Sequence, residues 1–162
     1  MDTSAIITFL QESLYLILVF SVFLGYAMLK GKQSLINLIL GLYLALLISL
    51  EFPYYDALLS NIDSAKLTDS VIKVIIFAVF TLAATFLFSK LMPRDYGEPA
   101  FEGFGKKLLF ALLASILVMA YSFNALPITD IITPGTPIQF LFASPDHFFW
   151  WLLAPLAGIM FL

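Results

Sequence analysis

The chain has 162 residues, of which 62% are hydrophobic and 12% are charged, and its formal net charge is -3. Soluble domains average about 45–50% apolar and about 25% charged residues, so these proportions exclude an ordinary soluble domain. The apolar content also excludes a disordered chain, and eight Lys and Arg against eleven Asp and Glu leave no basic face for a nucleic acid. The composition therefore predicts an integral membrane protein with the lipid bilayer as its solvent, folded as one membrane domain over residues 1–162.

The chain begins without the features of a cleaved secretory signal. Its first residues carry Asp2 and Glu12 and no Lys or Arg, whereas a signal peptide begins with a basic region. We therefore expect the first apolar run, about residues 5–29, to be retained as span 1. The chain has no cysteine, which excludes disulfides, thiolate metal sites and cysteine nucleophiles.

A polar turn over residues 30–33 follows span 1 and is too short for anything but a helical hairpin. Span 2 is predicted over about 34–52, with Ser34 as its N-cap. It ends near Pro53, because proline disfavours helix at the residue before it.

Residues 54–69 are too polar to span a membrane. Their apolar side chains, including Tyr55, Leu59 and Ile62, follow helical spacing, while Asp56 and neighbouring polar residues lie on other faces. This pattern predicts an amphipathic helix on the outer membrane surface.

Two further spans are predicted, over about 71–91 and about 108–126. The link between them, residues 93–107, contains two Pro and three Gly and is predicted to be a loop. Residues 127–147 contain four Pro and are predicted to be extended or turned. The fold class is thus all-α, a polytopic membrane helix bundle of four spans.

The last segment, residues 148–162, is shorter than the ~20 residues that a full span needs. It contains Pro155 and Gly158 and begins with four aromatic residues, which is typical of the membrane boundary. We expect a re-entrant or interfacial helix on the outer side. A fifth, tilted span that includes residues upstream is the alternative.

The basic residues predict the orientation. Six of the eight flank the two hairpins, and only Lys66 and Lys73 lie on the other side. The positive-inside rule places both hairpins in the cytoplasm and the N-terminus outside. The six residues that set this topology are Lys30, Lys32, Lys90, Arg94, Lys106 and Lys107.

Intramembrane charges usually mark function in membrane proteins, and this sequence places almost none at depth. Glu12, Glu51 and Lys73 all fall near the outer boundary when residues are counted from the basic turns at ~1.5 Å each. They are either interfacial charges in water or an ion pair of Lys73 with Glu12 or Glu51. The absence of midplane charge argues against a transporter driven by protons or sodium.

Small residues recur at four-residue spacing, which allows close approach of helices in lipid. This pattern predicts packing within the bundle, with a contact between copies of the chain or with a membrane-protein partner as the alternative. The residues are Ser21 and Gly25 in span 1, Gly41, Ala45 and Ser49 in span 2, and Thr81, Thr85 and Ser89 in span 3.

No residue pattern indicates a cofactor, a metal or a catalytic site. His147 is the single histidine, and a lone histidine does not make a metal site. The sequence has no nucleophile elbow and no glycine-rich phosphate loop. We therefore expect no enzymatic activity.

The layout of the chain resembles the colicin V production protein family of small bacterial inner-membrane proteins. The resemblance covers nearly the whole chain and is carried by the glycine and basic turn at 25–32, by Gly41, by FEGFGKK at 101–107 and by WWLLAPLAGIM at 150–160. It implies an inner-membrane protein that supports export or envelope maintenance linked to bacteriocin production, a form of toxin biosynthesis. It carries over no catalytic residues.

Three other functions remain open from the sequence. An accessory subunit of a larger membrane complex fits the uncharged spans, and an intramembrane enzyme would need facing acid, base or metal groups that the sequence does not show. The third is a channel or facilitator for a small solute. Its path would be lined by Asn37, Thr81, Thr85, Ser115, Ser122 and Asn124.

Overall fold

A computed structural model of the chain describes residues 3–55, 57, 66–92, 103–124, 141–142 and 144–161. Four of the helices in these residues are long and apolar enough to cross a membrane, which confirms the all-α class and the four apolar spans. The five helices with described bounds are α1 (Thr3–Lys30), α2 (Lys32–Leu50), α3 (Lys66–Leu91), α4 (Phe104–Asn124) and α5 (Pro145–Phe161).

The hairpin between α1 and α2 turns on one residue, Gly31. Its φ of 85° is in the left-handed region, which glycine adopts without a steric penalty. The predicted turn over 30–33 is therefore longer than the real one. The predicted N-cap is wrong as well, because Gly31 is the N-cap and Ser34 lies within α2, where its hydroxyl donates to the Lys30 carbonyl over 2.9 Å.

Helices α3 and α4 begin earlier than predicted. Residues 66–69, expected in the amphipathic segment, belong to α3, while Asp56 and 58–65 of that segment lie outside the described residues. Residues 104–107, expected in a loop, form the first turn of α4, in which the Lys107 N–H donates to the Gly103 carbonyl over 2.9 Å. A lysine near a helix end can extend its long side chain toward the interface, so it does not end the helix.

Helix α5 also begins earlier, at Pro145 instead of residue 148. Proline suits the first helical position because the N–H that it lacks would have no partner there. The preceding carbonyl, of Ser144, accepts the N–H groups of His147 and Phe148 over 3.1 and 3.2 Å. Residues 127–140 of the predicted proline-rich stretch lie outside the described residues.

Helices that follow one another in the chain run in opposite directions, so α1 and α3 end where α2 and α4 begin, and α2 packs parallel to α4. The most extensive packing joins α2 to α3, and α1 packs more on α4 than on its hairpin neighbour α2. The α1–α4 register is marked by the hydroxyls of Tyr15 and Ser122, which are 3.4 Å apart. In that register Lys30 and Lys107 lie at the same end of the bundle.

The buried core lies where α4 meets the other helices. Phe110, Leu117 and Tyr121 of α4 pack with Leu35 and Ile39 of α2, and all five are at most 1% exposed. Lipid tails are as apolar as these side chains, so the core stabilises the bundle through packing and dispersion rather than through removal of apolar surface from water.

Helix α5 lies antiparallel along α4. Phe142, just before α5, stacks on Phe123 near the end of α4, with ring centroids 6.4 Å apart. Near the other end of α5, Gly158 lies against Leu113, which is close to the middle of α4. Pro155, between these points, is fully buried, so α5 is part of the packed bundle.

Candidate functional site

Helices α2 and α3 come into close backbone contact at Gly41 and Thr85. A Cβ atom added to Gly41 would lie 2.9 Å from the Thr85 backbone nitrogen, a distance that real Cβ atoms essentially never show. Thr81 and Ala45 are buried beside this contact. Four of the predicted packing residues thus lie together in one interface, which we call the α2–α3 seam.

A short row of polar side chains extends the α2–α3 seam toward the basic end. The Asn37 side chain, 4% exposed, donates to the Ser89 hydroxyl over 3.5 Å and accepts a hydrogen bond from Gln33 over 3.3 Å. Gln33 also donates to the Met92 sulfur over 3.4 Å. These bonds link one turn of α2 to the last turn of α3 and to the residue that follows it, and they fix the register of the two helices.

The remaining predicted packing residues have different surroundings. Ser49 is partly buried, and its hydroxyl lies 2.7 Å from the Tyr55 hydroxyl. Ser21 and Gly25 are exposed on α1, and apart from the adjoining backbone of α1 no atom of the described residues lies within 4 Å of a Cβ built at Gly25. The structure therefore brings together the small residues of α2 and α3 but leaves those of α1 on an open face.

Five of the six cations that predicted the topology are described, and these five lie at helix ends, at one end of the bundle. Lys30, Lys90 and Lys106 are exposed, Lys32 is partly buried and Lys107 is buried. The Lys90 ammonium lies 4.8 Å from the centre of the Phe86 ring. Arg94 lies outside the described residues.

The predicted outer charges lie at the opposite end. Glu51 is exposed at the C-cap of α2, and Lys73 is partly exposed near the start of α3. No ion pair joins these two among the described side chains. Glu12 lies in α1, but its side chain is outside the described ones.

Sequence reasoning missed a pair of tyrosines within the bundle. The Tyr43 hydroxyl donates to the Leu152 carbonyl of α5, three residues before Pro155. The Tyr121 ring meets the rings of Tyr43 and Phe77 edge to face, with centroids 6.3 and 5.9 Å away. Tyr43 lies away from both ends of its span, and this is the sequence signal that could have pointed to it, since Tyr is enriched at membrane boundaries. Tyr121, three residues before the end of α4, gives no such signal.

The two hydroxyls of this pair differ in their hydrogen bonding. Proline lacks the N–H that stabilises the preceding turn of a helix, and side chains of neighbouring helices often bond to the carbonyls there. The carbonyl that Pro155 leaves without an N–H partner is that of Trp151, and Tyr43 bonds to the next carbonyl of the same turn, that of Leu152. The Tyr121 hydroxyl is buried and has no hydrogen-bond partner among the described residues.

Two polar side chains join α5 and the residues before it to the bundle. Asn124, at the end of α4, donates to the carbonyls of Ala120 and Phe142 over 3.0 and 2.6 Å. The Trp151 indole donates to the Leu141 carbonyl over 3.0 Å. These bonds, with that of Tyr43, hold the start and middle of α5.

Four of the six polar residues predicted to line a channel are buried and hydrogen-bonded within their own helices. The hydroxyls of Thr81, Thr85, Ser115 and Ser122 each donate to the carbonyl four residues earlier, over 2.7–2.9 Å. All four side chains are at most 8% exposed. Their hydrogen-bonding capacity is used in packing.

His147 lies at the rim of a shallow apolar groove along α5. The groove has a volume of about 410 Å³ and is lined by His147, Trp150, Trp151, Leu153, Ala154 and Ala157. Among the described side chains, no group of three or more His, Asp or Glu residues is placed to hold a metal ion.

Comparison with known proteins gives no relative: no family model, no curated protein and no solved structure matches this chain.

Proposed function

We propose that this chain is a non-enzymatic protein of the bacterial inner membrane that supports export or envelope maintenance, as its likeness to the colicin V production family implies. The α2–α3 seam carries the proposal. Its hydroxyl and amide groups bond within the bundle, and Gly41 and Thr85 allow close packing. Polar groups used in this way favour a role through assembly rather than through chemistry or solute passage.

The proposed orientation has the basic end in the cytoplasm and the N-terminus outside. Under this orientation the groove at His147 opens on the outer half of the membrane, and α5 enters from the outside. At ~1.5 Å per residue its 17 residues are about 25 Å long. That is short of a ~30 Å hydrocarbon core, which supports a helix that inserts beside α4 without crossing.

A deletion strain tests the function. We expect cells without the protein to lose export of a small secreted peptide or to become permeable to large antibiotics. Expression of the native chain or of the His147→Phe variant should restore the wild-type phenotype, because the proposed role requires no catalytic side chain. Gly41→Leu, which separates α2 from α3, should not restore it.

Two results would contradict this proposal in different ways. An unchanged phenotype in the deletion strain excludes the export or envelope role. If the His147→Phe protein folds and inserts in the membrane but fails to restore the wild-type phenotype, the proposal that the protein is non-enzymatic is contradicted. Gly105→Ala is the matched control for Gly41→Leu, because a Cβ at Gly105 meets open space.

A second candidate, an accessory subunit or homo-oligomer, is favoured by the exposed small residues Ser21 and Gly25 of α1. The molar mass of the detergent-solubilised complex, corrected for detergent, tests it. We expect a mass above the 18.1 kDa of one chain and a decrease toward that value in Gly25→Leu. A native protein that elutes at the single-chain mass would exclude this candidate.

A further inference from the structure

The basic end of the bundle is positively charged, whereas the rest of the sequence is negatively charged. It carries Lys30 and Lys32 at the first hairpin, Lys90 at the end of α3, and Lys106 and Lys107 at the start of α4. Counted along the sequence, residues 30–32 and 90–107 together contain six cations and three acidic residues, a net charge of +3. The remaining eight acidic residues and two lysines give -6, which accounts for the total of -3.

Exposed apolar side chains adjoin these cations on the same helices. Leu29, next to Lys30, is 86% exposed, and Leu91, next to Lys90, is 69% exposed. Phe104, two residues before Lys106, is 45% exposed. An exposed lysine and an exposed apolar side chain therefore occupy consecutive positions at the ends of α1 and α3.

This pairing matches the chemistry of a phospholipid better than that of a soluble acidic protein. A phospholipid presents a phosphate directly above acyl chains, so it can satisfy an ammonium and an adjacent leucine at once. Basic residues that flank membrane helices attract anionic lipid, and basic pockets between such helices bind anionic headgroups.

We propose that the basic end is a binding surface for anionic phospholipid, with Lys30 and Lys90 contacting headgroup phosphates and Leu29 and Leu91 contacting the acyl chains. Bound lipid bridges the α1–α2 hairpin and the end of α3. It therefore stabilises the folded bundle by mass action. This proposal goes beyond the proposed function and does not depend on it.

Thermal unfolding of the purified protein in a neutral detergent tests the surface. Added phosphatidylglycerol should raise Tm with increasing concentration, whereas phosphatidylcholine with the same acyl chains should not. Inorganic phosphate at the same concentration and a polyglutamate peptide complete the comparison. We expect neither to reproduce the shift, because neither offers a phosphate joined to acyl chains.

The double variant Lys30→Gln/Lys90→Gln locates the binding. Each lysine near an anionic surface contributes about a fivefold change in affinity, so the double variant should bind phosphatidylglycerol at least tenfold more weakly. Lys73→Gln, at the opposite end, is the matched control and should bind as the native protein does. Lys30→Arg/Lys90→Arg, which keeps both charges, should retain binding.

Several outcomes would overturn the proposal. These are an equal Tm shift with phosphatidylcholine, with free phosphate or with polyglutamate, and unchanged binding in the double glutamine variant. If that variant does not fold, the salt dependence of phosphatidylglycerol binding to the native protein tests the proposal instead. Phosphatidylglycerol binding that does not weaken between low and high NaCl would exclude an electrostatic surface.

Discussion

Four glycines lie within the described helices, and the three that lie beyond a first turn have different surroundings. Gly41 faces the backbone of Thr85, Gly158 faces the end of the Leu113 side chain, and Gly25 faces open space. A backbone contact relaxes only when two helices separate, whereas a side chain can change rotamer. Substitution by alanine at these three positions therefore distinguishes the cost of disturbing a close helix contact from the gain that alanine gives in any helix.

We expect Gly41→Ala to lower the free energy of unfolding by about 1–3 kcal/mol, as overpacking does in other proteins. Gly158→Ala should cost less, because Leu113 can move. Gly25→Ala should be neutral or stabilising by up to about 1 kcal/mol, the usual gain of alanine over glycine in a helix. Unfolding in detergent, followed by circular dichroism, measures all three. An equal loss of stability in Gly25→Ala and Gly41→Ala would contradict the contact with Thr85.

The tyrosine pair gives a second residue-scale prediction, in which one substitution has opposite effects at two sites. Tyr43→Phe removes the hydrogen bond to the Leu152 carbonyl and should destabilise by about 0.6 kcal/mol, the average for such bonds inside membranes, and by no more than about 1.7 kcal/mol. Tyr121→Phe removes a buried hydroxyl that has no partner among the described residues. It should be neutral or stabilising by about 1 kcal/mol. The same unfolding assay applies, and a loss of stability in Tyr121→Phe would show that its hydroxyl is satisfied.

At the scale of elements, α5 differs most from what its sequence suggests. Its length and its aromatic start point to the membrane surface, yet Phe148, Leu152 and Ile159 pack on the core of the bundle. Pro155 leaves a weakened turn in α5, and the Tyr43 hydroxyl bonds there. A helix held in this way has one end near the bundle rim and the other beside the middle of α4.

Cysteine labelling tests this placement, and the native chain has no cysteine to interfere. His147→Cys, at the exposed start of α5, should react quickly with a charged maleimide in intact vesicles. Ile159→Cys, which packs against the core, should react at least tenfold more slowly. Similar rates at both positions would indicate that α5 lies flat on the surface. Labelling of both in detergent with denaturant shows that each thiol is reactive.

For the whole molecule, the sequence predicts the number of spans well because ~20-residue apolar runs have few alternatives. It predicts contacts less well, because helices that are apolar on every side show no periodicity that marks the packed face. The spacing of small residues selects Gly41 and Thr85, which touch, and also Ser21 and Gly25, which are exposed. Spacing identifies a face suited to packing, whereas the partner depends on how all the helices are arranged.

The predicted ends of several helices are wrong because turns and charged residues do not mark them as clearly as the sequence suggests. A turn of one residue at Gly31 needs no polar run, and lysines can lie within the first turn of α4. The contacts of α5 depend on Tyr43 and Leu152, which are 109 residues apart in the chain. No local pattern in the sequence links two such residues.

The orientation is a prediction for the whole molecule. Gly105→Cys, at the exposed start of α4, should react only with reagent on the cytoplasmic side. Tyr54→Cys, just past the end of α2, should react only with reagent on the outer side. Impermeant maleimide applied to intact cells and to inverted vesicles measures both. The reverse pattern would overturn the placement of the basic end in the cytoplasm.

The preference of α1 for α4 affects the order in which the bundle assembles. Helix α1 is made first, but its main packing partner is completed only at Asn124. At ~5–20 residues per second, the ribosome needs roughly 5–20 s to advance from the end of α1 at Lys30 to Asn124. During this time α1 is held by its own apolar length and by the short link to α2. The first helix to be synthesised is therefore among the last to reach its final neighbours.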